Sequence, residues 1–129
     1  MRTVMVVDDE KDLAGLIERD LRAAGYRTVY CANGVEALSC LERPGAPDLA
    51  VLDVNMPGMD GLELCQRIRA NPRLSALPIL MLTALTESAI QEDAYQTGAD
   101  DYLSKPFFKE MLVARLKALE RRTLGAGPS

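Results

Sequence analysis

Polar side chains suited to phosphate and metal chemistry occur at the ends of short apolar runs in four separate parts of the chain. The residues are Asp8 and Asp9, Asp53, Thr83, and Lys105. In a parallel sheet the carboxyl ends of the strands face a common crevice, so residues that follow different strands come together there. The sequence therefore predicts that these four segments meet at one site.

The carboxylates of Asp8, Asp9 and Asp53 predict a magnesium site. Each residue taken alone has an ordinary explanation, because acidic side chains often cap helices or close turns. Two carboxylates about 4 Å apart, however, repel each other by roughly 4 kcal/mol at an effective dielectric constant near 20. Such a cluster either retains protons at neutral pH or binds a cation. Oxygen ligands beside an open crevice suit Mg²⁺, which keeps several of its waters.

Lys105 and Thr83 supply groups that can stabilise a phosphoryl group beside this cluster. An ammonium group offers a positive charge to phosphoryl oxygens, and a hydroxyl donates a hydrogen bond to them. Phosphoryl transfer depends mainly on such positioning and charge stabilisation. The chain contains no histidine, so the nucleophile is expected to be one of the carboxylates.

The composition fits a single domain that binds neither nucleic acid nor membranes. The chain has 129 residues, 48% of them hydrophobic, which is enough for one buried core. Its net charge of -4 opposes direct nucleic-acid binding, and its apolar runs are shorter than the roughly 20 residues of a membrane helix. We therefore expect a soluble, cytoplasmic protein. Cys31, Cys40 and Cys65 lack metal-ligand spacing and are expected to be reduced.

Five strand-like runs alternate with five helix-like segments along the chain. The strands are expected at residues 3–8, 26–31, 49–53, 79–83 and 101–103, and the helices at 11–24, 33–42, 62–70, 87–97 and 108–121. This alternation predicts an α/β fold with a doubly wound parallel sheet and right-handed crossovers. Asn33 and Asp60 are expected to cap the second and third helices. The last helix is expected to bury Phe108, Met111, Leu112, Leu116 and Leu119.

Four motifs resemble those of the receiver domain of bacterial two-component response regulators, of the chemotaxis-regulator type. They are Val6-Val7-Asp8-Asp9-Glu10, Leu52 to Gly61, Leu82-Thr83-Ala84, and Gly98 to Phe107. The resemblance extends over about residues 3 to 122. It implies a receiver domain over residues 1–122 and a linker-like tail over 123–129. It also implies a flavodoxin-like fold, with five strands in the order 2-1-3-4-5 and five helices.

The resemblance implies a role for each residue of the predicted site. Asp53 is expected to accept a phosphoryl group from a phosphohistidine of a sensor histidine kinase. Asp9 and Asp53 are expected to bind Mg²⁺ directly, with the backbone carbonyl of Asn55 as a further ligand. Asp8 is expected to act mainly through water, and Lys105 to contact the phosphoryl group.

The resemblance also implies a conformational switch. Thr83 is expected to move towards the phosphoryl group, and Tyr102 to turn inward as it does so. This movement would change the face formed by the fourth helix, the fifth strand and the fifth helix, which contacts a downstream effector protein or a fused output domain. The Lys105-Pro106 peptide bond is expected to be cis.

The output of the switch is less well defined by the sequence. The last helix resembles that of receivers joined to winged-helix DNA-binding domains, which implies control of transcription and a phosphorylation-dependent homodimer. Asp100, Asp101 and Arg115 would form part of the charged dimer face. The fourth helix of that subfamily usually carries basic residues, whereas residues 86–97 contain no lysine or arginine. This difference opposes the same mode of dimerisation.

Three other functions compete with phosphoacceptor signalling. A phosphatase of related chemistry has a second aspartate two residues after the nucleophile, where this chain has Asn55, so turnover of external phosphoesters is not expected. Only Mg-dependent self-phosphorylation and self-dephosphorylation are expected. A flavin or nucleotide site is opposed by the acidic Asp8-Asp9-Glu10 segment, where such folds have a phosphate-binding loop. A receiver-like interaction module that acts without phosphorylation is the remaining alternative.

Overall fold

The computed structural model describes residues 1–84 and 98–125, which form five strands and four helices. In chain order they are β1 (Thr3–Val7), α1 (Lys11–Ala23), β2 (Arg27–Cys31), α2 (Gly34–Glu42), β3 (Leu49–Asp53), α3 (Gly61–Ala70), β4 (Ile79–Thr83), β5 (Asp101–Ser104) and α4 (Lys109–Leu124). The helix predicted at 87–97 lies outside the described residues. No helix within the described ranges has both the length and the apolar composition needed to cross a membrane.

The five strands are parallel and lie in the order β2-β1-β3-β4-β5. This confirms the predicted sheet. From β1 the chain adds β2 on one side of the sheet, and it then adds β3, β4 and β5 in turn on the other side. In sheets of this kind a crevice lies where the order changes, between β1 and β3, beyond the carboxyl ends of the strands. Val7 of β1 is paired with Leu52 of β3, and Thr83 of β4 with Ser104 of β5. The residues that follow these pairs, among them Asp8, Asp53 and Lys105, therefore come together at the carboxyl end of the sheet.

Two apolar clusters cover the two faces of the sheet. In β1, Met5 and Val7 belong to the cluster that includes α2 and α3, whereas Val4 and Val6 belong to the cluster with α1 and α4. This alternation is the period of two that a β-strand imposes. Strands β3 and β4 are buried along their whole length, as expected for strands covered by helices on both sides. The central strands therefore give the site a rigid base.

The predicted caps of α2 and α3 are confirmed. The Asn33 side chain accepts a hydrogen bond from the backbone N–H of Glu36 at 2.9 Å. The Asp60 side chain accepts one from the N–H of Glu63 at 2.8 Å. Each side chain satisfies one of the N–H groups that the first turn of a helix leaves without a partner.

The last helix, α4, buries Leu112, Leu116 and Leu119, but the predicted burial of Phe108 and Met111 is wrong. Phe108 is 74% exposed and Met111 is 42% exposed. Helix α4 begins at Lys109, so Phe108 is the residue before the first turn and does not lie on the helical stripe. Met111 is one position before Leu112, which places it about 100° away around the helix.

The start of α3 lies directly against the end of β3. The backbone N–H of Gly61 donates to the carbonyl of Val54 at 3.0 Å. A Cβ atom at position 61 would contact the carbonyl oxygen of Asp53 and lie 2.9 Å from both the Asp53 carbonyl carbon and the Val54 Cα. Glycine is therefore required here by the close approach of two backbone segments.

We expect Gly61→Ala to lower the free energy of unfolding by about 1–3 kcal/mol, because the added methyl group meets backbone atoms that cannot rotate away. Gly15→Ala is the matched control. Gly15 lies on the exposed side of α1, and a Cβ there has nothing within 4 Å, so this change should raise the free energy of unfolding by about 0.5–1 kcal/mol. Urea denaturation measures both values. Equal effects of the two substitutions would contradict the tight contact at Gly61.

Candidate functional site

The acidic residues predicted from the sequence lie together at the carboxyl ends of β1 and β3. Carboxylate oxygens of Asp8, Asp9 and Asp53 lie within 4.8 Å of one another. Asp8 and Asp53 are each 1% exposed, whereas Asp9 is exposed. The pairing of Val7 with Leu52 explains this arrangement, because Asp8 and Asp53 are the next residues of two adjacent strands. The cluster is therefore buried on the sheet side and open to solvent at Asp9.

Lys105 faces this cluster from the end of β5. Its ammonium nitrogen lies 2.9 Å from Oδ1 of Asp53 and is hydrogen-bonded to it. The backbone N–H of Lys105 donates to the carbonyl of Thr83 at 2.7 Å, which continues the pairing of β4 with β5. The predicted cis peptide bond between Lys105 and Pro106 is confirmed. The site thus contains three carboxylates and one ammonium group.

Two carboxylate oxygens at the site are buried without a hydrogen-bond partner among the described residues, Oδ2 of Asp8 and Oδ2 of Asp53. Leaving a buried charged acceptor unpaired costs several kcal/mol, because it has lost its hydration. These unpaired oxygens, on carboxylates that converge, fit a hard divalent cation that binds through oxygen. The donor set therefore suits Mg²⁺.

The ordinary explanation of the acidic residues as helix caps does not hold for α1. The N-cap residue of α1 is Glu10, and its side chain makes no capping hydrogen bond. Asp8 instead accepts a hydrogen bond from the backbone N–H of Glu10 through Oδ1 at 2.9 Å, which fixes its carboxylate towards Asp53. The local turn thus positions Asp8 at the site and leaves Oδ2 available.

Burial raises the pKa of Asp8 to about 6, and the charge of Asp53 adds to the effect. The hydrogen bond from Glu10 and the charge of Lys105 act in the opposite direction and lower the pKa of Asp8. A raised pKa means that the ionised carboxylate is less stable in this environment than in water, although it is still the main form at neutral pH. A cation beside Asp8 would offset this unfavourable charge.

Thr83 and Tyr102 lie on the same side of the sheet. Thr83 ends β4 and is 1% exposed, and Tyr102 of β5 is 7% exposed. Tyr102 is paired with Met81, two residues before Thr83, and belongs to the apolar cluster that contains α2 and α3. Since residues two apart in a strand face the same way, Thr83 points to this side as well. Tyr102 is thus directed inward in this structure.

Asn55 lies two residues after Asp53, at the surface of the protein. Its side chain is exposed, and its backbone N–H donates to Oδ1 of Asp53 at 3.4 Å, a long hydrogen bond. The structure therefore brings together Asp8, Asp9, Asp53 and Lys105, and places Asn55 two residues after Asp53 at the mouth of the crevice. Three polar or charged residues are buried in the described part of the chain: Asp8, Asp53 and Thr83. All three belong to the predicted site.

Comparison with known proteins agrees with this geometry. The family model described as the response regulator receiver domain matches residues 4–117. The chain belongs to the response regulator receiver family. This confirms the resemblance found in the sequence motifs.

The receiver is similar to both longer and shorter proteins. The alkaline phosphatase synthesis transcriptional regulatory protein PhoP of Bacillus subtilis is 41% identical over 128 residues, which are 99% of this chain and 52% of that protein. The DNA-binding dual master transcriptional regulator RpaA of a Synechocystis strain is 38% identical, over 95% of this chain and 51% of that protein. The chemotaxis protein CheY4 of Vibrio cholerae has a solved structure with a TM-score of 0.85 and 34% identity, covering 92% of this chain and 98% of that one. The receiver thus spans about half the length of the curated relatives named here.

One supporting residue of the receiver site was missed in the sequence. The Tyr30 hydroxyl donates to the backbone carbonyl of Asp8 at 2.8 Å, and the backbone N–H of Asp8 donates to the carbonyl of Cys31 at 3.2 Å. The edge strand β2 therefore holds the Asp8 segment in place. Nothing in a strand-like run of the sequence distinguishes Tyr30, because its role depends on the pairing of β2 with β1.

We expect Asp8→Asn to stabilise the receiver at neutral pH in metal-free buffer. A raised carboxyl pKa means that the folded state binds the proton more tightly than the unfolded chain, so ionisation of Asp8 lowers the free energy of unfolding as the pH rises from about 4 through about 6. Asparagine keeps the acceptor for the Glu10 N–H but carries no charge. The expected gain is about 1–3 kcal/mol at neutral pH and falls towards zero near pH 4.

The control for this prediction is Asp12→Asn, which removes the same charge from an exposed position in the first turn of α1. Chemical denaturation over a pH series measures the free energy of unfolding of both variants. Asp12→Asn should be neutral or slightly destabilising, since an acidic residue there favours the helix N-terminus. If Asp8→Asn were no more stable than wild type at neutral pH, the ionised Asp8 would not be unfavourable in the folded state, and the explanation would be wrong.

Proposed function

We propose that this receiver accepts a phosphoryl group on Asp53 from a phosphohistidine of a sensor histidine kinase. The observation that supports this most directly is the 2.9 Å contact between the Lys105 ammonium and Oδ1 of Asp53, inside a cluster of three carboxylates. A lone buried ion pair contributes little net stability, because both charges lose hydration. An ammonium held at a carboxylate with one unpaired oxygen is instead arranged to receive a charged group.

Asp53 is better suited to act as the nucleophile than its neighbours. Its Oδ1 is oriented by Lys105, and its Oδ2 has no partner among the described residues. Asp8 is more constrained, because Oδ1 is hydrogen-bonded to Glu10 and its pKa is raised. In the proposed step a carboxylate oxygen of Asp53 attacks phosphorus. The bond from phosphorus to the imidazole nitrogen breaks, and the imidazole leaves with the electron pair.

The residues proposed to hold Mg²⁺ are Asp8, Asp9 and Asp53, together with the backbone carbonyl of Asn55. Asp9 and Asp53 are proposed as direct ligands, and Asp8 as a ligand through water. When bound, the ion offsets the negative charge of the carboxylates and of the phosphoryl oxygens. Lys105 then has the separate task of contacting the phosphoryl oxygens on the side of the crevice formed by β5.

Thr83, Lys105 and Tyr102 are proposed to form the switch. Lys105 contacts Asp53 through its side chain and Thr83 through its backbone N–H, so a new phosphoryl group at Asp53 changes the surroundings of both residues. The equilibrium between two arrangements shifts only by the difference in their interaction with the new charge. Thr83 and Tyr102 share one side of the sheet, so movement of the hydroxyl can be coupled to the packing of the ring.

The output face is proposed to include β5, α4 and the segment 85–97. On the described part of this face, Arg115 forms an ion pair with Asp101 at 3.2 Å and also donates to the carbonyl of Tyr102 at 3.1 Å. Arg115 therefore links the proposed switch residue to the surface of α4. Arg115 and Asp101 are also proposed, together with Asp100, to form part of the charged face of a phosphorylation-dependent homodimer.

The partner of this face is proposed to be a fused output domain or a separate effector protein. The relatives of twice the length have names that describe transcriptional regulation, whereas CheY4 is of similar length to this chain. Residues 1–122 are proposed as the receiver, working in the cytoplasm, and 123–129 as its connecting tail, although Thr123 and Leu124 still belong to α4. The acidic receiver itself, with a net charge of -4, is not proposed to bind nucleic acid or to hydrolyse external phosphoesters.

Incubation with Mg²⁺ and a small acyl phosphate, followed by intact-mass analysis, tests the acceptor. We expect wild type to gain one phosphoryl group and Asp53→Asn to gain none, because an amide is not nucleophilic enough to attack phosphorus. Asp60→Asn is the matched control, since Asp60 is the N-cap of α3 and asparagine also caps helices. Equal labelling of Asp53→Asn would reassign the acceptor. A wild type that stays unlabelled would favour the interaction module that acts without phosphorylation.

Lys105→Met tests the role of the ammonium group. We expect the rate of phosphorylation by the acyl phosphate to fall about 10²-fold, because one fixed charge that stabilises the transition state is lost. The affinity for Mg²⁺ should not fall, because the carboxylates remain and a repelling cation has been removed. Rapid-mixing kinetics and Mg²⁺ titration give the two quantities. Lys109→Met, at an exposed position at the start of α4, is the control and should change neither.

A further inference from the structure

The hydroxyl of Tyr30 lies beside the acidic cluster but takes no part in the proposed phosphoryl transfer. Tyr30 belongs to the edge strand β2, where it is paired with Val6 of β1. Its hydroxyl reaches two residues beyond that pair and donates to the backbone carbonyl of Asp8 at 2.8 Å. Its ring packs against the apolar cluster that contains α1 and α4. The core therefore fixes the ring, and the ring directs the hydroxyl to the carboxyl end of β1.

Three hydrogen bonds restrain the backbone at Asp8, and strand β2 supplies two of them. The N–H of Asp8 donates to the carbonyl of Cys31 at 3.2 Å, and the carbonyl of Asp8 accepts from Tyr30. In the third bond, the N–H of Glu10 donates to Oδ1 of Asp8 at 2.9 Å. The carbonyl of Asp8 belongs to the planar peptide group that joins Asp8 to Asp9. The hydroxyl of Tyr30 therefore restrains the backbone from which the Asp9 side chain extends.

Asp9 is the member of the acidic cluster that depends most on this restraint. Asp8 and Asp53 are buried, whereas Asp9 is exposed. Packing therefore does not fix the Asp9 side chain, and its direction follows from the backbone. The other two carboxylates lie within 4.8 Å and repel it, which favours a turn of Asp9 towards solvent. The hydrogen bond from Tyr30 opposes this movement.

We propose that Tyr30 is a positioning residue of the magnesium site, which keeps Asp9 directed at the cluster and so sets both the affinity for Mg²⁺ and the preference for Mg²⁺ over Ca²⁺. The inference rests on the proposed function, in which Asp9 and Asp53 are the direct ligands. A partner that orients a ligand before the ion binds raises the affinity, because less motion has to be restricted on binding.

The preference between the two cations follows from their demands on geometry. Mg²⁺ requires near-ideal octahedral coordination with short bonds, whereas Ca²⁺ accepts longer bonds and a variable number of oxygen ligands. A site in which the Asp9 carboxylate can turn away therefore loses more affinity for Mg²⁺ than for Ca²⁺. A general loosening of the fold would lower the affinity for both cations by the same factor. The ratio of the two affinities thus separates a positioning role of Tyr30 from a merely structural one.

Tyr30→Phe removes the hydroxyl and keeps the ring. Tyr30 is only partly buried, so water can hydrate the Asp8 carbonyl in the variant, and the fold should be retained. Tyr26→Phe is the matched control. The Tyr26 hydroxyl also donates a hydrogen bond to another element, to Oε1 of Glu120 at 2.7 Å. It lies before the start of β2, however, at the opposite end of the sheet from the acidic cluster.

The test is isothermal titration calorimetry of wild type, Tyr30→Phe and Tyr26→Phe, each metal-free, with magnesium chloride and with calcium chloride. We expect Tyr30→Phe to raise the Kd for Mg²⁺ about 10-fold and the Kd for Ca²⁺ by less than about 3-fold. Tyr26→Phe should change neither value. In labelling by a small acyl phosphate, Tyr30→Phe should need about 10-fold more Mg²⁺ for the half-maximal rate and should reach the wild-type rate at saturation.

Three outcomes would overturn the proposal: a wild type that binds no Mg²⁺, a Tyr30→Phe protein with unchanged affinity for Mg²⁺, and equal losses for Mg²⁺ and Ca²⁺. Circular dichroism of each variant shows whether it is folded. The calorimetry uses no phosphoryl donor. A wild type that binds Mg²⁺ but is not labelled would therefore refute phosphorylation of Asp53, while the titrations still decide the role of Tyr30.

Discussion

The site depends on one constraint: the paired, apolar strands of the sheet hold Asp8, Asp9 and Asp53 together against their mutual repulsion. Three carboxylates within 4.8 Å of one another would move apart in a flexible chain. They stay together because they follow strands whose pairing is fixed by backbone hydrogen bonds and by apolar side chains on both faces. The free energy of folding thus maintains a charge arrangement that is unfavourable by itself. Such strain is typical of functional sites.

The ammonium of Lys105 relieves part of this repulsion and also connects the site to the rest of the sheet. It reaches Asp53 across the end of β4, while its backbone N–H is bonded to Thr83. A change in charge at Asp53 therefore acts on the ends of β4 and β5 together. From β5, the contacts of Arg115 with Asp101 and with the carbonyl of Tyr102 extend to the surface of α4. This chain of contacts gives the proposed switch a physical route from a buried carboxylate to an exposed helix.

Much of the fold could be predicted because local and long-range signals agree. The alternation of strands and helices, the caps at Asn33 and Asp60, and the apolar runs of β3 and β4 that end in Asp53 and Thr83 each depend on a few neighbouring residues. The prediction was wrong at Phe108 and Met111, where an apolar residue at the start of a helix was assigned to its buried stripe. A shift of one residue in the start of a helix changes which side chains face the core, and capping and docking decide that start. Tyr30 was missed because its hydroxyl acts on a different strand.

The sequence by itself determined which chemical groups the site contains. Carboxylates, a hydroxyl and a lysine stand at the ends of separate strand-like runs, in an order and spacing that resemble those of receivers. The tertiary structure decided the distances, the burial and the hydrogen bonds of each group. It left Oδ2 of Asp8 and Asp53 without a hydrogen-bond partner among the described residues, while Oδ1 of each is bonded. The physical reason is that residue types and local propensities are properties of the chain. Hydration and contact between distant residues depend on the register of the sheet and the docking of helices, which exist only once the whole core has formed.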